Sequence, residues 1–162
     1  MRYVALLRGI GPGNPNMHGS KLCSVFEKLG FTNVTSVISS GNVIFDSPSN
    51  NVADLELKIE KALPKYLGFN STTIIRSHNE LKALVKKNPF KNQEHSSKTY
   101  LIVTFLKDKK LVSGGVVCTA ITTGQPRTPK VMADLEKKYA KAVTTRTWLT
   151  VLRILKKMDS VG

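Results

Sequence analysis

The chain has 162 residues, 41% of them hydrophobic, and its 25 Lys+Arg against 11 Asp+Glu give a formal net charge of +14. That length and apolar content suffice to bury a core and exclude a disordered chain. No apolar run approaches the roughly 20 residues that span a bilayer, so no membrane association is expected.

Residues 2–7 read as a first strand, since Arg2 and Arg8 flank a short apolar stretch with no small-residue cleavage site behind it. Residues 9–19 hold four glycines, two prolines and two asparagines and form a loop. Ser20 then caps a helix with Leu22, Val25, Phe26 and Leu29 on one face, and Gly30 stops it. Residues 32–38 and 42–46 are two strands of a hairpin turned by Ser39-Ser40-Gly41. Asn50 or Asn51 opens a second helix carrying Val52, Leu55, Ile59, Ala62 and Leu63 inward, which Pro64 is expected to kink or end.

Residues 72–76 form a fourth strand, which completes the order β-α-β-β-α-β of the ferredoxin-like split βαβ. Ser77 and Glu80 have the spacing of a capping box, and a short helix runs from there to Asn88-Pro89. Strands follow at residues 99–106 and 116–122, then a helix opened by Thr128-Pro129 and a short strand at 142–145. The last helix, residues 146–158, places Trp148, Val151, Leu152, Leu155 and Met158 on its core face and Arg146, Thr150, Arg153 and Lys157 on the opposite stripe. The expected fold class is α+β, in two small ferredoxin-like subdomains packed together, residues 1–90 and 91–162.

Named catalytic machinery is missing. His18, His78 and His95 are scattered, and neither they nor Cys23 and Cys118 stand at metal-ligand spacing. The two cysteines sit at core positions, which suits a reducing, cytoplasmic location. Gly9-Ile10-Gly11-Pro12-Gly13 lacks the third glycine of a dinucleotide fingerprint, so no cofactor is expected. The strand order is shared with RNA-recognition modules, and Tyr3 could stack a base, yet the third strand lacks their paired aromatics.

Three segments are more polar than packing requires: Arg8-Gly9-Ile10, Ser40-Gly41-Asn42 and Thr144-Thr145-Arg146-Thr147-Trp148. Arg8 can meet an anion near glycine amides, and Arg146 can do so beside a helix N-terminus. The alternative reads them as turn, cap and anchor.

In this order, together with Leu29-Gly30-Phe31-Thr32-Asn33-Val34, Ile38-Ser39-Ser40-Gly41-Asn42-Val43-Ile44-Phe45 and Asn88-Pro89-Phe90, these segments resemble a bacterial family catalogued as domain of unknown function 1697. The resemblance implies a pair of α/β plaits and carries no activity with it. The chain departs from the family pattern at Gly11-Pro12-Gly13-Asn14, where Asn-Val-Gly-Gly is usual, and at Thr147 and Leu149, where asparagines are usual.

Two functions are carried forward. One is noncatalytic binding of nucleic acid or another polyanion, resting on the charge and on Arg146, Arg153 and Lys157; residues 91–162 hold 14 basic and 5 acidic side chains. The other is an enzyme or sensor for a small phosphate- or carboxylate-bearing ligand held by Arg8, Gly9, Ser40, Gly41, Asn42, Thr145 and Arg146.

Overall fold

The computed structural model describes residues 1–8, 18–38, 41–91, 93–122, 134, 137–139 and 142–161. The chain is mixed α+β and divides into two compact units, Met1–Lys82 with Arg153–Gly162, and Ala83–Leu152.

The first unit begins with β1 (Arg2–Leu7), α1 (Gly19–Lys28), β2 (Thr32–Ser36), β3 (Asn42–Asp46), α2 (Val52–Leu67) and β4 (Thr73–Ser77). The strands lie in the order β2-β3-β1-β4, and every neighbouring pair is antiparallel, as the split βαβ requires. Strand residues of one parity, Tyr3, Ala5, Leu7, Val43, Phe45 and Ile75, join the apolar faces of α1 and α2 in a single buried cluster. Phe45 is its centre, with ring centroids at 5.6 Å from Tyr3, 5.5 Å from Phe26 and 4.5 Å from Phe31.

The start of α1 differs from expectation. His18 takes the cap position without a side-chain bond, and Gly19 is already helical. The reason is space: a Cβ on Gly19 would lie 2.2 Å from the Ser36 hydroxyl, so the helix meets β2 through a bare backbone. In α2, Asn51 is the cap, accepting from the Asp54 amide at 3.1 Å. Pro64 does not end this helix, which runs on to Leu67 before Gly68 turns left-handed at φ 76° and donates to the Pro64 carbonyl. Lying on the exposed side and in the last turn, the proline forfeits one late hydrogen bond and no core contact.

Arg2 explains why residues 153–162 join this unit. Its guanidinium makes a fork to Asp46 (2.8 and 2.9 Å) and also donates to the Met158 carbonyl (2.9 Å) and to that of Val161.

α3 (His78–Lys87) begins in the first unit and ends in the second. Its capping box forms as read, with the Ser77 amide donating to Glu80 at 2.8 Å and the Glu80 amide to the Ser77 hydroxyl at 3.1 Å. Asn88, at φ 49°, turns the chain out of the helix. Phe90 then buries its ring edge-on against Trp148, centroids 5.3 Å apart.

In the second unit, β5 (Thr99–Leu106), β6 (Val116–Thr122) and β7 (Val143–Thr147) form an antiparallel sheet in the order β6-β5-β7. The final helix, α4 (Trp148–Ser160), starts two residues later than expected, and β7 extends through Arg146 and Thr147. The run Thr144-Thr145-Arg146-Thr147 favours strand, and β5 offers a partner at each step, Val103 to Arg146 and Ile102 to Thr147. Thr147 caps α4, accepting from the Thr150 amide at 3.3 Å. On α4 the buried positions are Trp148, Val151, Ile154 and Met158, with Leu152 and Leu155 half-buried. The helix expected after Thr128-Pro129 falls largely outside the described residues.

Candidate functional site

Antiparallel pairing of β1 with β3 and β4 brings part of the first polar group together at one end of the sheet. The Leu7 amide donates to the Gly41 carbonyl at 2.8 Å, and the Arg8 amide donates to the Thr72 carbonyl at 3.0 Å. The Ser71 hydroxyl is wired to the same residue, accepting from the Arg8 amide at 3.0 Å and donating to the Arg8 carbonyl at 2.8 Å. Arg8, Glu60, Asn70, Ser71 and Thr72 line an open cleft of about 410 Å³. Glu60 faces it from α2 while one carboxylate oxygen accepts from the Thr73 amide at 3.1 Å. The cleft thus offers a cation, a carboxylate and neutral polar groups to a polar ligand. Ser71 has its proton on a backbone carbonyl and not on a base, which is no arrangement for nucleophilic attack.

Sequence reading reached Arg8 but missed Glu60, Asn70, Ser71 and Thr72. The polar run Asn70-Ser71-Thr72 ahead of a strand was a signal, but only pairing of β1 with β4 sets it beside Arg8.

Gly41 and Asn42 serve the turn. Gly41 has φ 77°, and Asn42, 4% exposed, donates through Nδ2 to the Val37 carbonyl at 3.1 Å while its own carbonyl accepts from the Val37 amide at 2.9 Å. Gly9 and Ser40 lie outside the described residues. Tyr3 is 1% exposed, stacked on Phe45 and donating to the Ser49 carbonyl at 2.7 Å, so it presents no face to a base.

Thr145 and Arg146 stand on β7 in the second unit. Arg146 is therefore not the helical residue expected, but it does stand beside a helix N-terminus, directly before the Thr147 cap of α4. Its guanidinium is half-buried, donates to the Thr144 hydroxyl at 2.7 Å and the Thr145 carbonyl at 2.9 Å, and is pushed down to about 10 by burial. The stripe drawn through Arg146, Arg153 and Lys157 is consequently not one helical face: Arg153 and Lys157 are exposed on α4, and Arg146 belongs to a strand. Thr147, where asparagine was expected, keeps the capping role that both residue types fill.

Positive charge in the second unit instead resides on exposed lysines, among them Lys86 and Lys87 at the end of α3, Lys91, Lys98, and Lys109 and Lys110 between β5 and β6. A second open cleft, about 630 Å³, is lined by Asn88, Phe90, Gln93 and Glu94. Among the described residues no group of three metal-ligating side chains occurs. Burial raises both the Cys23 and Cys118 thiols, the opposite of what a reactive thiolate needs.

Fold and surface together define a basic α+β protein with a split βαβ plait at its N-terminal end. The family described as Protein of unknown function (DUF1697) matches residues 1–117, and the chain belongs to it. A solved structure described as the conserved bacterial protein SP0830 from Streptococcus pneumoniae is similar in fold: the TM-score is 0.64 at 20% identity, over 97% of this chain and 98% of that one. No curated protein matches the chain. Among the described residues no helix is long and apolar enough to cross a membrane.

Proposed function

We propose that the protein binds nucleic acid or another polyanion without transforming it. The observation that carries this reading is the charge of residues 83–152, which hold 13 basic and 4 acidic side chains, with the lysines named above exposed. Exposed ammonium groups neutralise phosphates and release condensed counterions, so binding is independent of base sequence and steeply dependent on salt. Base readout has no support, since Tyr3 is buried. The test is titration of labelled duplex DNA and single-stranded RNA of unrelated sequences from about 50 to 200 mM salt. Affinity is expected to fall log-linearly with salt and to be alike for unrelated sequences; no binding at about 50 mM by the folded protein defeats the reading.

The cleft beside Arg8 supports a second reading, a site for a small ligand bearing a phosphate or carboxylate. Arg8 supplies a guanidinium, and Asn70 and Ser71 supply polar neighbours. A thermal-shift screen of nucleotides, sugar phosphates and dicarboxylates tests it: a shift that Arg8→Met abolishes supports the cleft, and no shift with any of them rejects it.

A further inference from the structure

The outer edge of the first sheet carries a device separate from both proposed functions, although one of its members, Glu60, also lines the cleft beside Arg8. Among the described residues β4 is an edge strand, paired with β1 on one side. In an antiparallel ladder alternate residues face the partner. Thr72 faces β1, since its carbonyl accepts from Arg8, so the amides of Thr73, Ile75 and Ser77 point away from the sheet. Left unfilled, a row of this kind is a template for a further strand; here it is closed over, with Thr73 and Ile75 at 0% exposure and Ser77 half-buried.

All three amides are occupied by carboxylates. Thr73 donates to Glu60 at 3.1 Å, Ile75 to Glu56 at 2.9 Å and Ser77 to Glu80 at 2.8 Å. The spacing comes from the elements. Four residues of helix rise about 6 Å and two residues of strand about 6.8 Å, so Glu56 and Glu60, one turn apart on α2, meet alternate amides of β4. Glu80 reaches the third from the first turn of α3. Arg76, buried at 2% exposure, is attracted by both Glu80 and Glu56 and offsets the charge they bring to the edge.

We infer that Glu56, Glu60 and Glu80 act as a comb that closes the β4 edge, so that neither a second copy of this chain nor an extended peptide adds a strand there. A carboxylate accepts and never donates, so it fills the amide row and leaves an incoming strand no free donors to pair with. The fold offers the edge, and three side chains withdraw it.

Residue-resolved amide exchange on the whole 162-residue chain tests this first. Thr73, Ile75 and Ser77 are expected to be protected although their amides have no partner on β1, and Glu60→Ala is expected to speed exchange at Thr73 by about 10-fold or more, the loss of a hydrogen bond to a charged group. Glu60→Gln, which keeps an acceptor oxygen, is expected to stay near the wild type. Sedimentation of Glu56→Ala/Glu60→Ala then reads the consequence: association that rises with concentration beyond that of the wild type, with Thr73 and Ile75 amides protected again in the associated species. Since Glu56 is buried near Arg76, Glu60→Ala alone serves for the same measurement if the double variant does not fold. Fast exchange of the three amides in the wild type overturns the comb. A folded variant with an opened Thr73 amide and unchanged association overturns its role against strand addition.

Discussion

Arg2 shows how much one side chain settles. Its fork to Asp46 and its bonds to carbonyls at the end of α4 tie the first strand, the third strand and the C-terminal helix together. The hydrogen bond from Arg2 holds the Asp46 carboxyl below the ordinary carboxylate range, with Asn33 adding to it. A carboxyl depressed in the folded state contributes stability above its unfolded pKa, near 3.9, and loses it as pH falls through the folded value. Asp46→Asn is therefore expected to be less stable than the wild type at neutral pH, and the difference should narrow at an acid pH below the unfolded value. Urea unfolding of both proteins at the two pH values measures it. A constant difference would mean that shape, and not charge, is what Asp46 supplies.

At the scale of elements, the ends of the helices decide what packs. Asn88 leaves α3 in a left-handed conformation, and two residues later Phe90 stands against Trp148. Asn88→Ala is expected to cost up to about 1–2 kcal/mol in chemical unfolding, since alanine keeps the Cβ that crowds this conformation and loses the short polar side chain by which asparagine tolerates it, whereas Asn88→Gly should be neutral or better. The resemblance segment Asn88-Pro89-Phe90 thus has a structural role: a stop, a rigid step and an anchor. Thr144-Thr145-Arg146-Thr147-Trp148 divides likewise into strand and helix. Periodicity placed Arg146 on the helix because it fits the polar stripe, but pairing with β5, which no local pattern encodes, keeps it in β7.

For the whole molecule, net charge is the property that any partner meets first. If the exposed lysines of the second unit carry polyanion binding, Lys109→Ala/Lys110→Ala should weaken binding to unrelated DNA sequences alike. It should also flatten the salt dependence by about 1.8 in log–log slope when both touch phosphate, at about 0.9 per contact. Arg146→Ala is expected to disturb β7, where its guanidinium bonds Thr144 and Thr145, more than it disturbs binding. Unfolding and binding measured on the same samples separate the two effects. A double lysine variant with wild-type slope removes that loop from the interface.

The order β-α-β-β-α-β of the first 77 residues was legible because apolar spacing, Gly30, Asn51 and the Ser77–Glu80 box all act within a few residues of one another. The family was legible for the same reason, since short segments kept their order along the chain. Gly19 was read as loop, because the Ser36 hydroxyl that excludes a side chain there comes from another strand. Ser71 beside Arg8 depends on the pairing of β1 with β4, 63 positions apart in sequence. Nothing local to α2 singled out Glu56 and Glu60, whose partners are amides of β4. Local periodicity and caps arise from interactions among near neighbours, and the sequence states these directly. Which polar groups end up facing one another is decided by strand pairing across long separations, and only the tertiary structure holds that.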